Sequence, residues 1–194
     1  NERYARSDTS VEAQVLKIVA AKPDAVLIGG SGTPGALPAI SLAGRGYKGQ
    51  LYGNHGMVNP DFIRVGAKSV EGLIAPTGPL VAVEQLPESN PVKSVASKFV
   101  KAYDAAYGAQ NRNAFAGYAY DAYLLVEEAL PEAMKAASPG TPAFRAALRD
   151  SLEKLHEVVG THGVYTMSPN NHNGMDARAR VLVKVENGAW KLVQ

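Results

Sequence analysis

Short apolar runs that end in glycine-rich turns alternate with amphipathic helical segments through the first part of this chain. Residues 25–28 have the sequence Ala-Val-Leu-Ile and continue directly into Gly29 and Gly30, and Leu51-Tyr52 continues into Gly53. A short, continuous apolar run is typical of a strand that is buried on both faces of a parallel sheet. Because helical spacing of apolar residues separates the strands, the pattern predicts an α/β fold with a parallel sheet and flanking helices.

A helix is predicted before the first strand. Its apolar stripe consists of Val11, Val15, Ile18 and Val19. Thr9 and Glu12 stand three residues apart and predict a capping box, in which each side chain accepts a hydrogen bond from a backbone N–H at the start of the helix. Pro23 predicts the end of this helix, because proline disfavours the α conformation in the residue before it.

Three segments of the chain differ in their predicted secondary structure. Residues 1–77 alternate strands and helices, residues 78–157 are mainly helical, and residues 158–194 return to strands. The four prolines between residues 76 and 91 predict a linker at the first transition. The pair Asn187-Gly188 lies between two strand-like runs and predicts a β-hairpin, because both turn positions need a positive φ.

The helical segment contains three predicted helices with recognisable ends. Asn90 and Thr141 are expected at N-termini, each followed by a proline that needs no hydrogen-bond partner in the first turn. Gly108 is expected to end the first of the three helices. Pro131 predicts a kink or a boundary in the second, because proline removes a helical hydrogen bond.

Composition excludes several classes of function. The 20 basic and 18 acidic residues give a net charge of +2, which is too balanced for a dedicated nucleic-acid-binding protein. The absence of cysteine excludes a disulfide scaffold, a Cys-ligated metal site and a thiol nucleophile. No apolar run reaches the length of about 18 residues that a membrane span needs.

Neither a zinc site nor a catalytic nucleophile is predicted. The histidines are His55, His156, His162 and His172, and none is three or four residues from another. The chain has no G-x-S-x-G motif, and no acid stands near Ser31 or His55 to complete a catalytic triad. We therefore expect no catalytic residues, no metal and no cofactor, and we expect that the protein is not an enzyme.

The first glycine-rich turn, Gly30-Ser31-Gly32-Thr33-Pro34-Gly35, matches the G-x-G-x-x-G spacing of a dinucleotide-binding loop. An acidic residue should follow about 20 positions later to hold the ribose, but residues 50–56 contain none. A nucleotide-dependent α/β enzyme therefore stays an alternative. The favoured interpretation is a ligand-binding turn at the carboxyl edge of a sheet, where Ser31 and Thr33 offer hydroxyl groups.

The second turn, Gly53-Asn54-His55-Gly56, ends the next predicted strand. A single histidine is as often a surface or structural residue as a functional one. Because adjacent strands place such turns side by side, we expect the two turns to form a crevice at the edge of the sheet. Of the tyrosines at 118 and 120, one can point into a cleft, although helix packing is the simpler explanation for both.

A set of short motifs resembles the later portion of a periplasmic solute-binding protein of ABC importers. The motifs occur in the same order and cover nearly the whole chain. The resemblance is to the type I, branched-chain amino acid-binding (Leu/Ile/Val-binding-like) family. The matching stretches are residues 20–30, Gly46-Tyr47-Lys48-Gly49, Gly53-Asn54-His55-Gly56, Gly72-Leu73, Ala119-Tyr120-Asp121-Ala122, Gly163-Val164-Tyr165 and Gly188-Ala189-Trp190. Residues 160–180 are most similar to members that bind aromatic carboxylates.

This resemblance implies a two-lobe protein, incomplete in this chain, that closes on a ligand and delivers it to an inner-membrane permease. Residues 1–77 would belong to the second lobe, residues 78–157 would supply helices to the first lobe, and residues 158–194 would cross back through the C-terminal β-hairpin. The apolar faces of the first-lobe helices would be exposed unless the N-terminal remainder of the protein or a second copy covers them. A removed signal peptide and a periplasmic, or extracellular and lipid-anchored, location are also implied.

The resemblance implies a ligand site in the two turns, with Phe115 and Tyr118 near the cleft. His55 matches a position where amino-acid-binding members place an acidic residue against the ligand's ammonium group. Because a histidine can donate to an acceptor or, when protonated, pair with an anion, we expect an aromatic or apolar carboxylate as ligand. An amino-acid ligand and a receptor role stay open. The expected ligand-binding residues are Ser31, Gly32, Thr33, Asn54, His55, Gly56, Phe115 and Tyr118.

Overall fold

The computed structural model describes residues 1–193; Gln194, the last residue of the predicted C-terminal segment, lies outside the described part. The chain divides into two compact units. Unit 1 comprises Asn1–Thr77 and the residues from Val181 onward, and unit 2 comprises Gly78–Arg180. The chain therefore leaves unit 1 after Thr77 and returns to it at Val181.

Unit 1 is an α/β unit built on a five-stranded sheet. In spatial order its strands are β1 (Ala25–Ile28), β2 (Gln50–Gly53), β3 (Ile74–Thr77), β6 (Val181–Glu186) and β7 (Ala189–Leu192). Strands β1, β2 and β3 are parallel, whereas β6 is antiparallel to β3 and β7 is antiparallel to β6. Its helices are α1 (Glu12–Ala20), α2 (Ala36–Gly44) and α3 (Pro60–Gly66). The predicted α/β class and the Asn187-Gly188 hairpin, with φ of 54° and 71°, are confirmed.

The sheet of unit 1 is buried on one face and open on the other. Ile28, Ala75, Val183 and Val185 are buried. On the opposite face Leu27 is 72% exposed, and Tyr52, its partner in the register of β1 and β2, is 42% exposed. Leu182 on β6, also exposed, belongs to this second face because it pairs with Pro76, two residues beyond the partner of Tyr52. The prediction that β1 is buried on both faces is therefore wrong for this chain.

Unit 2 is mainly helical. It contains α4 (Lys93–Tyr107), α5 (Ala114–Ala136) and α6 (Pro142–Leu152), followed by the short strands β4 (Val158–Val159) and β5 (Val164–Tyr165). Residues 158–180, which the sequence pattern grouped with the hairpin, lie in unit 2, because β4 and β5 pair with each other and not with the larger sheet. Which lobe each segment forms in a longer protein stays a prediction.

The proline-rich stretch 76–91 is more ordered than the predicted linker. The boundary between the units falls within it, after Thr77. Residues Pro79–Gln85 then form a 3₁₀ segment in which Leu80, Ala82 and Val83 are buried. Apolar burial, and not flexibility, therefore governs this stretch.

Helix ends show where local rules succeed and where distant contacts override them. The Thr141 hydroxyl accepts a hydrogen bond from the N–H of Phe144, as expected of an N-cap. The predicted capping box of α1 is wrong: no side chain caps this helix, and the Glu12 carboxylate instead pairs with Arg45 at 2.6 Å. Helix α5 continues through Pro131.

Helix α5 leaves an apolar stripe in contact with solvent. Phe115, Ala119, Ala122 and Val126 recur at helical spacing and are all exposed. This agrees with the expectation that helices of this segment carry uncovered apolar faces. Within residues 1–193, no helix combines the length and the hydropathy that crossing a membrane requires.

Candidate functional site

Two turns at the carboxyl ends of β1 and β2 lie against each other. The strands end level, because Ile28 pairs with Gly53 in the parallel register. Beyond the strands, the N–H of Gly32 donates a hydrogen bond of 2.9 Å to the carbonyl of Gly56. The expectation that adjacent strands bring these turns together is confirmed. Carboxyl ends of parallel strands are where α/β folds bind ligands.

Glycine is required where the two turns meet. A Cβ atom on Gly56 would lie 3.0 Å from the Cβ of Ser31 and 3.3 Å from the carbonyl oxygen of Gly30. A Cβ atom on Gly30 would lie 2.9 Å from the Cα of Gly35. A side chain at Gly30 would force the backbone to shift, and one at Gly56 would be crowded, so both glycines favour the contact of the turns.

A cleft of about 380 Å³ opens at the first turn of unit 1. Its lining consists of Tyr4, Arg6, Gly29, Gly30, Ser31, Pro34 and Asn54. Ser31 and Asn54 are predicted site residues, and both are exposed. Tyr4 and Arg6 come from the N-terminal segment, for which no motif indicated a site. Among these lining residues Arg6 carries the only charge, and none is acidic.

His55 does not line this cleft, although its neighbour Asn54 does. It opens the 3₁₀ turn His55–Met57 and is half-buried, with both ring nitrogens out of contact with solvent. Burial lowers the pKa of the imidazole, and a hydrogen bond with the Pro76 backbone only partly opposes this effect. Because proline has no N–H, the imidazole donates to the Pro76 carbonyl. His55 is therefore held as a neutral group that connects the second turn to β3.

The remaining predicted residues of the first turn shape the backbone. Gly32 has φ of +60°, a conformation that side chains other than glycine rarely adopt. Thr33 is exposed and begins the 3₁₀ turn Thr33–Gly35, which leads directly into α2. The N-terminus of α2 thus faces the turn, where the helix dipole favours negative charge.

The two predicted aromatic residues lie in unit 2. Phe115 is in the first turn of α5 and is 54% exposed. Tyr118 is less exposed, and its ring stacks on that of His162 with centroids 3.9 Å apart. Burial, and then the charge of Asp121, raise the pKa of the Tyr118 hydroxyl. Phe115 exposes about half of its surface to solvent, whereas one face of Tyr118 is covered by the His162 ring.

A buried network around Asp121 was not predicted as functional, although this residue lies in a motif of the family resemblance. Asp121 is 2% exposed and accepts hydrogen bonds from the N–H groups of Thr161 at 2.5 Å and His162 at 2.9 Å. It also accepts from the Tyr165 hydroxyl at 2.8 Å. Burial, together with the Asp121 charge, raises the pKa of Tyr165. The network is structural, because it connects α5 to the loop between β4 and β5.

Within residues 1–193, no three histidine, cysteine, aspartate or glutamate side chains are grouped so that they could hold a metal ion. His162, for example, lies in the interior of unit 2, where its Nε2 is 2.9 Å from the carbonyl oxygen of Ala114. The side chains gathered at the turns of unit 1 are hydroxyl, amide and guanidinium groups, which are suited to hydrogen bonding with a small polar ligand.

Comparison with known proteins defines the class to which this fold and site correspond. Residues 1–189 match the profile of a family described as periplasmic binding protein, and the chain belongs to that family. No curated protein matches the chain. A solved protein from Rhodopseudomonas palustris strain CGA009 is 43% identical, with a TM-score of 0.95 over 100% of this chain and 54% of its own.

Other solved structures extend the comparison. An extracellular ligand-binding receptor from Rhodopseudomonas palustris HaA2 is 46% identical, with a TM-score of 0.91 over 98% of this chain and 53% of that protein. A leucine-binding protein from Thermotoga maritima is 25% identical, with a TM-score of 0.78 over 98% of this chain and 49% of that protein. The chain thus spans about half the length of these relatives. It has the type I periplasmic-binding-protein fold and a periplasmic or extracellular location.

Proposed function

We propose that this chain is part of the substrate-binding component of an ABC importer, which captures a small organic acid for delivery to a membrane permease. The ligand is an aromatic or otherwise apolar carboxylate. One observation carries the proposal: the cleft at the carboxyl edge of the sheet is lined by hydroxyl, amide and guanidinium groups and by no acid. Family membership supports the solute-binding role.

The absence of an acid from this lining argues against an α-amino acid as ligand. An ammonium group needs an anionic or carbonyl partner when it leaves water. His55, at the position where the family resemblance expects an acid, is neutral and bonded to Pro76, so it offers no such charge. A branched-chain amino acid stays the alternative ligand, because one of the similar solved structures is a leucine-binding protein.

An aromatic ligand is supported by the solvent exposure of the Phe115 ring, because aromatic rings stack favourably on one another. Ser31 and Asn54 would bind polar atoms of the ligand, and Gly32, Thr33 and Gly56 would shape the turns around it. His55 would support the second turn, and Tyr118 would contribute through its ring edge. These assignments are proposals for each residue.

Thermal melting of the complete protein with benzoate, cinnamate, leucine or NAD tests the proposed function. A ligand at 100 times its dissociation constant stabilises the folded state by about 2.7 kcal/mol, which is a readily measured shift in melting temperature. We expect shifts with one or both aromatic acids and none with NAD. A shift with leucine alone would establish the amino-acid alternative instead.

The enzyme alternative has less support. A nucleotide bound at Gly30–Gly35 would need an acid for its ribose hydroxyls, and the described lining of the cleft supplies none. A melting shift with NAD, in the absence of any shift with the acids, would favour this alternative over transport.

A further inference from the structure

We propose that Arg6 is the residue that holds the ligand's carboxylate in unit 1. This inference rests on the proposed function and deepens it, because it names the group that selects an acid over a neutral molecule of the same shape. It is carried by the position of the Arg6 guanidinium at the first turn and by the absence of an ion-pair partner for that charge among residues 1–193.

Arg6 lies on a tight turn whose geometry is maintained by its neighbours. The N–H of Ala5 donates to the Asp8 carboxylate at 2.7 Å, and the N–H of Asp8 donates to the Ala5 carbonyl at 3.0 Å. Arg6 is one of the two residues at the tip of this turn. A short loop closed by two hydrogen bonds presents a side chain with less loss of conformational entropy on binding than a free segment does.

Tyr4 anchors the same segment to the first turn of the site. Its hydroxyl oxygen is buried, and a Cβ atom on Gly30 would lie only 2.6 Å from it. Burial raises the pKa of this hydroxyl, so it stays neutral. The Tyr4 side chain therefore occupies the space left by the missing side chain of Gly30. Arg6 is two residues further along this anchored segment.

The Arg6 guanidinium lies beside the first turn of the site. Its Nη2 atom is 4.0 Å from the position that a Cβ atom would occupy on Gly32, and Arg6 lines the same cleft as Ser31 and Asn54. A carboxylate in this cleft can accept two parallel hydrogen bonds from the guanidinium. The Ser31 hydroxyl and the Asn54 amide are additional donors at the same opening.

The charge of Arg6 is not used elsewhere within residues 1–193. Five other arginines of the chain form ion pairs with carboxylates, namely Arg45, Arg64, Arg112, Arg149 and Arg178. No such pair is formed by Arg6. Since His55 is neutral, Arg6 is the cation available to an anion in this cleft.

Calorimetry on the complete protein tests this assignment with pairs of matched probes. The first pair is benzoate and its neutral isostere benzamide, and the second pair is cinnamate and cinnamamide. Arg6→Gln removes the charge, and Arg6→Lys keeps the charge but loses the two-pronged geometry. Arg3→Gln is the control, because Arg3 lies in the same segment, is exposed and does not line the cleft.

We expect Arg6→Gln to weaken binding of the acid by about tenfold to hundredfold, the range of a charged hydrogen bond, with little effect on the amide. Arg6→Lys should give an intermediate loss, and Arg3→Gln should bind like the parent. The melting temperature of each unliganded variant should match that of the parent, because Arg6 is exposed.

Two results would overturn the proposal, and they are distinguishable. If the parent binds an aromatic acid and Arg6→Gln binds it equally well, or loses acid and amide binding together, the role of Arg6 is wrong and the proposed function stands. If the parent binds neither acid, the proposed function itself fails. If Arg6 pairs with the anion, binding of the acid should also depend less on ionic strength in Arg6→Gln than in the parent.

Discussion

At the candidate site, the histidine that follows a strand end is not the residue that carries the positive charge. His55 follows a strand end and is enclosed by glycines, but burial beside β3 keeps its ring neutral. Arg6 belongs to no motif, yet it brings the positive charge to the same edge of the sheet. At the residue scale, the environment of a side chain therefore decides its role more than the residue type does.

The lowered pKa of His55 predicts a pH dependence of stability. Its pKa in the folded state lies below the unfolded value of about 6.5, so the unfolded state binds more protons in this range. The free energy of unfolding should therefore fall as the pH decreases through and below about 6.5. Stability is retained above that value, where both states are neutral.

Comparison of the parent with His55→Gln isolates this effect. The free energy of unfolding of the variant should depend less on pH between about 5 and 7. A histidine NMR titration of the parent provides the direct check, with the His55 signal assigned by its loss in His55→Gln. A His55 signal that titrates above about 6.5 would contradict the prediction.

At the scale of elements, single side chains connect segments that are distant in sequence. Asp121 on α5 binds the backbone of the loop between β4 and β5 and the hydroxyl of Tyr165 on β5. Helix α5 packs closely against the Leu80 side chain only because residue 117 is glycine: a Cβ atom there would lie 2.4 Å from that side chain. These contacts explain why residues 158–165 belong to unit 2.

Asp121→Ala should strongly destabilise unit 2. Two buried N–H groups and a buried tyrosine hydroxyl would lose their acceptor, and because each unsatisfied buried donor costs about 1–3 kcal/mol, we expect a total loss of at least about 3 kcal/mol. Chemical denaturation of the complete protein measures the loss. Asp150→Ala, which removes an exposed carboxylate paired with Arg149, should change stability by about 0.5 kcal/mol or less. Equal effects of the two substitutions would be inconsistent with this account.

At the scale of the whole molecule, both units present apolar surface to solvent. In unit 1 the open face of the sheet carries Leu27, Tyr52 and Leu182, and in unit 2 the exposed stripe of α5 includes Phe115 and Val126. Contiguous apolar surface of this kind is uncommon on soluble monomers. The solved relatives are about twice the length of this chain.

The chain produced on its own should therefore self-associate. We expect sedimentation analysis to show concentration-dependent association of residues 1–194, accompanied by binding of a hydrophobic dye. Leu27→Gln combined with Leu182→Gln should reduce both, because these side chains are 72% and 50% exposed. The matched control, Lys22→Gln with Lys154→Gln, alters exposed polar residues and should leave association unchanged. A monomeric chain without dye binding would contradict this prediction.

Local sequence predicted much of the fold but little of the electrostatic environment of the site. The strands that end at Ile28 and Gly53, and their adjacency, follow from apolar runs and glycine turns, and the register confirms them. The capping box at Thr9 and Glu12 failed because the helix begins at Glu12, with Val11 at the N-cap, and the Glu12 carboxylate binds Arg45, 33 residues away. Burial of β1 on both faces failed because sequence periodicity does not reveal which layers cover a sheet.

The sequence by itself determined the features that depend on a few neighbouring residues: the α/β alternation, the Thr141 cap and the Asn187-Gly188 turn, whose positive φ values follow from residue type. Only the tertiary structure decided which distant groups meet, such as Arg6 with the turn at Ser31 and Asp121 with Thr161. The physical reason is that periodicity and turn propensity act over a few residues. Charge pairing and desolvation act through space, and only the folded chain sets those distances.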